Sequence, residues 1–290
     1  LVVGFTPGGG VDINARMLAG KLTELLGQTV LVENKPGAGT NIANEFVAKA
    51  APDGYTLLIN TAAVAINMSL YKSVPFDTLK DFAPVAVFSE SQNILLTNAA
   101  KPYKSAAEVV AAARARPGAL TFASAGSGST QHLAGELFKL QTRTDILHVP
   151  YKGSGAVRGD LLSGRVPTMF DNVAVMLPYV QRKELVALAV TSPRRSPLLP
   201  EVPTMRELGL EAVEIEGWFI VLGPPGVPDT VVKRLNEAVN KVLITTVTAD
   251  KLATIGAEPM IGPPQDVTKL VTGDREKWGK VIREANIKPE

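Results

Sequence analysis

Short apolar runs alternate with longer stretches of helical period through the first sixty positions of the chain. Residues 1–5 form an apolar run that reads as a buried strand. Val11, Ala15, Leu18, Ala19, Leu22, Leu25 and Leu26 then recur every three or four positions, the stripe of a helix over residues 11–26, and Gly27 supplies its stop. A second strand is predicted over 29–33 and a second helix over 41–50, closed by Pro52-Asp53-Gly54, with a third strand over 55–59. Residues 120–170 repeat the plan, with strands at 120–123, 146–149 and 166–170 and helices at 131–141 and 156–163. The two halves share this architecture without evident sequence identity. Strands that alternate with helices in this way predict parallel sheets with right-handed crossovers.

Between the halves lie two strand-like runs, 84–89 and 93–97. A helix over 105–116 follows, with Ser105 as N-cap and Glu108 three residues on. After residue 170 come a helix (174–181), a strand (186–190), a proline-rich loop (192–203) and a long strand (214–222). Pro224-Pro225-Gly226-Val227-Pro228 punctuates the chain before helices over 229–242, 246–255 and 264–285. The pattern predicts an α/β protein of two domains, 1–98 completed by 222–290 and 99–221, joined by two crossings that favour a hinge and an interdomain cleft.

Open parallel sheets bind ligands at the carboxyl ends of strands where strand order reverses. If each half has the order 2-1-3, the loops after its first and third strands face the ligand. In the first domain these are 6–12, with Pro7-Gly8-Gly9 following Phe5, and 60–66, beginning Asn60-Thr61-Ala62. In the second they are 124–131, with Ser124, Gly126, Ser127, Ser129 and Thr130, and 171–174, with Asp171 and Asn172. Backbone N–H groups at a helix start attract anions, and glycine admits close approach. None of the four loops holds Lys or Arg, so an anion there is gripped by backbone, hydroxyls and water, which suits a carboxylate. The glycine turn at 36–40 falls at the sheet edge and reads as structural.

Other residues have plainer explanations beside the functional one. Asp12 opens a helix four residues before Arg16 and reads as a structural partner of that arginine. His132 reads as packed on its neighbours and bonded to backbone, with direct ligand contact as the alternative. His148 reads as a core or interface residue. Asp171 either binds a ligand ammonium or hydroxyl or braces adjacent loops. Trp218 and Phe219 read as core, with a wall of the ligand site as the alternative.

Composition narrows the functional classes. The chain has 290 residues, a net charge of +2, 6% aromatics and no basic cluster larger than Arg194-Arg195, which gives no footing for nucleic acid. With no cysteine there is no thiol catalysis, disulfide or thiolate metal site. Two histidines alone give no common zinc motif, so neither metal nor cofactor is expected. No apolar run reaches the length of a membrane span. Neither a G-x-S-x-G motif nor a P-loop is present, and a pairing of Ser127 or Ser129 with His132 would lie within one helical turn, a poor arrangement for a nucleophile and its base.

Several motifs together resemble the Bug family, the substrate-binding proteins of tripartite tricarboxylate transporters. They are Val2-Val3-Gly4-Phe5-Thr6-Pro7-Gly8-Gly9-Gly10-Val11-Asp12, Val32-Glu33-Asn34-Lys35-Pro36-Gly37-Ala38-Gly39, Pro52-Asp53-Gly54-Tyr55-Thr56-Leu57-Leu58, the run from Phe122 to Glu136, Val149-Pro150-Tyr151-Lys152-Gly153-Ser154-Gly155, Pro200-Glu201-Val202-Pro203-Thr204 and Gly217-Trp218-Phe219. The resemblance spans essentially the whole chain. It implies a two-domain periplasmic-binding-protein-like (type II) fold, export to the periplasm, capture of a small di-, tri- or aromatic carboxylate, and delivery to the membrane permease. It implies that the loops matching 5–9 and 124–130 act as a pincer on a ligand carboxylate, with ordered water helping. Thr6 departs from the proline or alanine common in the family and adds a hydroxyl. Because Leu1 already lies in a strand, a preceding segment such as a removed export signal is expected. The protein is expected to be a monomer and a binder rather than an enzyme. A ligand sensor for a receptor and a Ser/His hydrolase are the alternatives.

Overall fold

The computed structural model describes residues 1–254 and 257–289. In chain order the elements are β1 (Val2–Val3), α1 (Gly10–Leu26), β2 (Glu33–Asn34), α2 (Asn41–Ala48), β3 (Leu58–Asn60), α3 (Ala63–Leu70) and β4 (Ala83–Asn98). Next come α4 (Ala106–Ala115), β5 (Leu120–Ser124), α5 (Thr130–Thr142), β6 (Ile146–Pro150), α6 (Ser154–Leu162), β7 (Thr168–Asn172), α7 (Val173–Gln181) and β8 (Leu185–Val190). The chain ends with β9 (Glu216–Gly223), α8 (Asp229–Ile244), α9 (Thr246–Thr254), β10 (Ala257–Pro259) and α10 (Gln265–Glu284). Ile255, the expected last residue of its helix, lies outside the described residues, as does Glu290.

The chain divides into two compact units, one of residues 1–90, 218–253 and 258–290 and the other of 91–217 and 254–257. The divisions at 90/91 and 217/218 fall inside β4 and β9, so those two crossings are strands rather than loops, and a short excursion over 254–257 adds two more between the end of α9 and β10.

In the first unit β1 pairs in parallel with β2 on one side and β3 on the other, and β9 runs antiparallel to β3 with Leu58 opposite Leu222. The strand order is β2-β1-β3-β9-β4, with β10 also on β4. The helical stripe of α1 buries Ala15, Leu18, Ala19 and Leu22, and Val3, Val47, Leu58, Ile59 and Ile66 are buried in the same unit. Gly279 of α10 lies close over Ser69, where a Cβ would come within 2.9 Å of its Oγ.

In the second unit β5 pairs in parallel with β6 and β7, and β4 runs antiparallel to β7 and β8. Its core is built from Ile94, Leu96, Ala123, Val157, Leu161, Met169, Val173 and Met176. The α4 start is capped as its sequence predicts: Ser105 Oγ accepts from Glu108 N–H, while Glu108 Oε2 accepts from Lys104 N–H, one residue earlier than in the usual box.

Several expectations change: the loop expected at 171–174 is instead the end of β7 running directly into α7. The loop expected at 60–66 is helical from Ala63. The strand expected at 29–33 is confined to the Glu33–Asn34 pair. The two runs at 84–89 and 93–97 are one continuous strand, and β10 has no counterpart in the pattern.

Candidate ligand-binding loops

In the first unit the loop from β1 to α1 is held by three side chains. Asn34, at the end of β2, donates through Nδ2 to Phe5 O at 3.0 Å and to Asp12 Oδ1 at 2.9 Å. Gly8, at φ +77°, donates its N–H to Asp12 Oδ2 at 2.9 Å. Arg16 donates through Nε to Asp12 Oδ2 at 3.0 Å and places Nη2 2.9 Å from Oδ1. Burial pushes the Asp12 carboxyl up, but hydrogen bonds from Arg16, Gly8 and Asn34 outweigh it and hold the group below its ordinary value. Asp12 therefore has the structural role expected of it. Phe5 is buried and Pro7 exposed.

Gly9 is the N-cap of α1 and has no side chain to cap with. The first N–H groups of a helix have no intrahelical acceptor, so those of Gly9, Gly10 and Val11 are left to an outside group. Beside them, Thr6 Oγ1 is shielded from solvent and has no hydrogen-bond partner.

At the end of β3, Thr61 donates its N–H to Asn60 Oδ1 at 2.8 Å, and its Oγ1 accepts from Ala63 N–H at 3.3 Å. Ala62 is the buried N-cap of α3. The glycine turn at 36–40 is tied inward: Asn67 of α3 donates to Gly39 O at 2.6 Å, and Asn60 donates to Thr40 Oγ1 at 3.3 Å.

In the second unit the hydroxyls expected to meet ligand are turned to holding the loop. Ser129, the N-cap of α5, accepts from His132 N–H at 3.1 Å and donates to Gly126 O at 2.7 Å. Ser124 Oγ accepts from Gly126 N–H at 3.0 Å and lies 2.7 Å from His148 Nε2. Gly128, at φ +83°, donates its N–H to His132 Nδ1 at 3.2 Å. Beneath the loop Phe122, His148 and His132 form a stack, with ring centroids 4.8 Å and 4.2 Å apart in turn. Burial, with Lys139 adding a smaller like-charge effect, lowers His132 to about 4. Burial, then the neighbouring His132 and Lys139, lowers His148 to about 2. Burial thus favours the neutral form of both rings, and a neutral His132 can accept the Gly128 N–H through Nδ1. Ser127 is buried within the same loop.

At the end of β7 the fully buried Asp171 accepts through Oδ1 from Ser154 Oγ at 2.5 Å and Asn172 N–H at 2.8 Å. Its Oδ2 has no hydrogen-bond partner. Burial pushes the carboxyl up to about 6 against the opposing pull of Ser154, Asn172, Gln131 and Arg158. Next to it, Asn172 donates to Asn93 Oδ1 at 3.0 Å and accepts from Gln131 at 3.3 Å, while Asn93 donates to Thr130 Oγ1 at 3.1 Å. Asn93, Gln131 and Ser154 were not anticipated. For Asn93 the signal was present: it is an amide inside an apolar strand run, which must find a buried partner.

Apart from Thr6, whose hydroxyl has no partner, the polar side chains described above brace their loops, and backbone donors remain at the helix starts. At α5 those are the N–H groups of Thr130 and Gln131, since Ser129 already serves His132. Such an arrangement binds an anion by preorganised dipoles rather than by a cationic side chain.

The architecture is that of periplasmic binding proteins: the solved periplasmic binding protein BugD superposes with a TM-score of 0.96 at 30% identity, covering 100% of this chain and 97% of that one. The family model of the tripartite tricarboxylate transporter family receptors matches residues 14–287, and the chain belongs to that family. Protein BugT of Bordetella pertussis is 38% identical over 290 residues, covering 99% of this chain and 89% of BugT. An R. palustris protein solved with adipate is 39% identical, with a TM-score of 0.96 and coverage of 100% and 97%. MatC from Rhodopseudomonas palustris, solved with bound malate, is 30% identical, with a TM-score of 0.92 and coverage of 97% of each chain.

Proposed function

We propose that the protein is a periplasmic solute-binding protein that captures a small organic acid and delivers it to the permease of a tripartite tricarboxylate transporter. A glycine-led helix start engages the ligand's carboxylate. The observation that carries this reading is the bracing found separately in loop 5–9 and in loop 124–130: in each, side chains hold the loop while backbone N–H groups at the following helix start remain to donate to an anion. In this reading Phe5, Pro7, Gly8 and Gly9 shape the first loop, and Ser124, Gly126, Ser127, Ser129 and Thr130 the second. Thr61 and Ala62 line the start of α3, and Asp171 and Asn172 the end of β7. Family membership supports the transport role, and relatives solved with adipate and malate support a dicarboxylate. Among the described residues no helix is long and apolar enough to cross a membrane, which fits a partner that meets the permease from outside the bilayer.

Thermal unfolding and calorimetry against di-, tri- and aromatic carboxylates test this. A ligand at a hundred times its Kd adds about 2.7 kcal/mol to stability. No response to any acid in the panel sinks the proposal.

A hydrolase reading draws on the 2.7 Å contact between Ser124 Oγ and His148 Nε2. The geometry disfavours it: Ser124 is fully buried, and a histidine lowered to about 2 is too weak a base to take its proton. Turnover of a panel of carboxylic esters, lost in S124A, would reverse this assignment.

A further inference from the structure

The turn at 36–40 reads as structural in the sequence, yet it holds an uncommon backbone. Thr40 lies at φ +81° and ψ −7°, and it is the one β-branched residue at positive φ among the described residues. Such a conformation persists only where the surroundings enforce it. Thr40 is also the N-cap of α2, but its hydroxyl caps no N–H of that helix. Instead Thr40 Oγ1 accepts from Asn44 Nδ2 and from Asn60 Nδ2, each at 3.3 Å, and the residue is buried.

These contacts tie Thr40 to both strands that lead into the candidate loops of the first unit. On the β3 side, Asn60 Nδ2 also donates to Asn44 Oδ1 at 2.6 Å, which leaves Asn60 Oδ1 facing the Thr61 N–H at 2.8 Å. The Thr40 hydroxyl and Asn44 thereby fix which way the Asn60 amide faces, and with it the first residue after β3. On the β1 side, Thr40 packs on Gly4, the residue before Phe5. A Cβ at Gly4 would come within 2.6 Å of Thr40 Cβ, so β1 approaches the turn as closely as glycine allows.

We propose that Thr40 is a positioning residue for ligand binding: it acts through Asn60 on Thr61 and through Gly4 on the entry to loop 5–9. This rests on the carboxylate-binding reading above. The turn is then part of the binding apparatus of its unit, although Thr40 itself is buried behind the loops' own residues.

Three substitutions separate its parts. Thr40→Val keeps the shape and removes the acceptor, Thr40→Ser keeps the acceptor, and Thr40→Gly removes the side chain together with the backbone strain. Calorimetry with adipate and malate is expected to show T40V and T40G weaker by about fivefold or more, and T40S within about twofold of wild type, for whichever acid the wild type binds. In the unliganded protein the Thr61 amide is expected to exchange faster in T40V and T40G than in T40S. T40G is expected to melt no lower than T40V, since glycine adopts this backbone freely, so its weaker binding does not trace to lost folding. Leu252→Ala opens a cavity on α9 in the core of the same unit; it is expected to lower the melting midpoint and leave affinity and Thr61 exchange unchanged. A smaller loss of affinity in T40V or T40G overturns the proposal, as does an equal loss in T40S or in L252A. Should T40V not fold, T40G and T40S decide between them. A wild-type protein that binds neither acid overturns the functional reading, and this proposal with it, an outcome that involves no variant.

Discussion

Asp171→Asn removes one ionisable group from the interior and replaces it with a side chain of the same shape. In the wild type burial raises this carboxyl from 3.8 to about 6, so folding favours its protonated form. The stabilisation is fully present below the unfolded-state value and is lost as pH rises through the folded one. A displacement of about two pH units is worth about 3 kcal/mol. D171N keeps an oxygen for Ser154 and Asn172, and it sets an amide nitrogen where Oδ2 now has no partner. The wild type is therefore expected to lose about 3 kcal/mol relative to D171N between about pH 4 and about pH 7, with the change concentrated between 4 and 6. Urea denaturation of both proteins across this range, read as the difference in unfolding free energy at each pH, measures it. A difference constant to within about 1 kcal/mol refutes the reasoning, because it would mean that the carboxyl does not pay a desolvation penalty.

His132 pulls the other way: lowered from 6.5 to about 4, it contributes stability at neutral pH that is lost as pH falls through this range, about 3 kcal/mol in all. His148, lowered to about 2, adds a loss of similar size over the same range, so wild-type stability is expected to fall between about pH 6.5 and about pH 4 and to fall more steeply still in D171N, with nitrogen-detected NMR showing a neutral His132 ring down to about pH 4. Gly135→Ala is expected to cost about 1–3 kcal/mol in urea, since its Cβ would overlap the Phe122 ring, which is itself held by the histidine stack. Asp12→Ala removes the acceptor for Gly8, Arg16 and Asn34 at once and is expected to lower stability by about 1–3 kcal/mol, with increased hydrogen exchange at Gly8. Asp274→Ala strands the indole N–H of Trp218, now bonded at 2.9 Å, and is expected to cost about 1–3 kcal/mol and to shift the tryptophan emission.

The elements that carry the site were legible because their signals are local. Glycines before a helical stripe marked the starts of α1 and α5, and the four-residue spacing of Asp12 and Arg16 announced their pairing. Helix α3 was not legible: Ala63, Val64, Ala65, Ile66 and Asn67 are all buried, so the segment has no polar face and no helical period to read. In β4 the polar run Ser89-Glu90-Ser91-Gln92 looked like a break, yet the strand passes through it where the chain leaves one unit for the other. In the Ser124–Thr130 region the residue types were apparent but not what they bond. A hydroxyl near a predicted ligand looks the same in sequence whether it points at that ligand or, as with Ser129, ties a helix start to the preceding carbonyl. Only the tertiary partners, His148 and Asn93 among them, decide between the two.

The placement of β9 between β3 and β4 governs the order in which this chain acquires its shape. Both neighbours of β9 emerge from the ribosome more than a hundred residues before it does, so the sheet of the first unit stays divided until residues 216–223 arrive. The second unit, nearly all of it contiguous over 91–217, has its strands in hand by then. The amino-terminal third of the protein is thus translated first and finished last, and a chain truncated after residue 217 keeps an almost complete second unit while its first unit lacks a central strand.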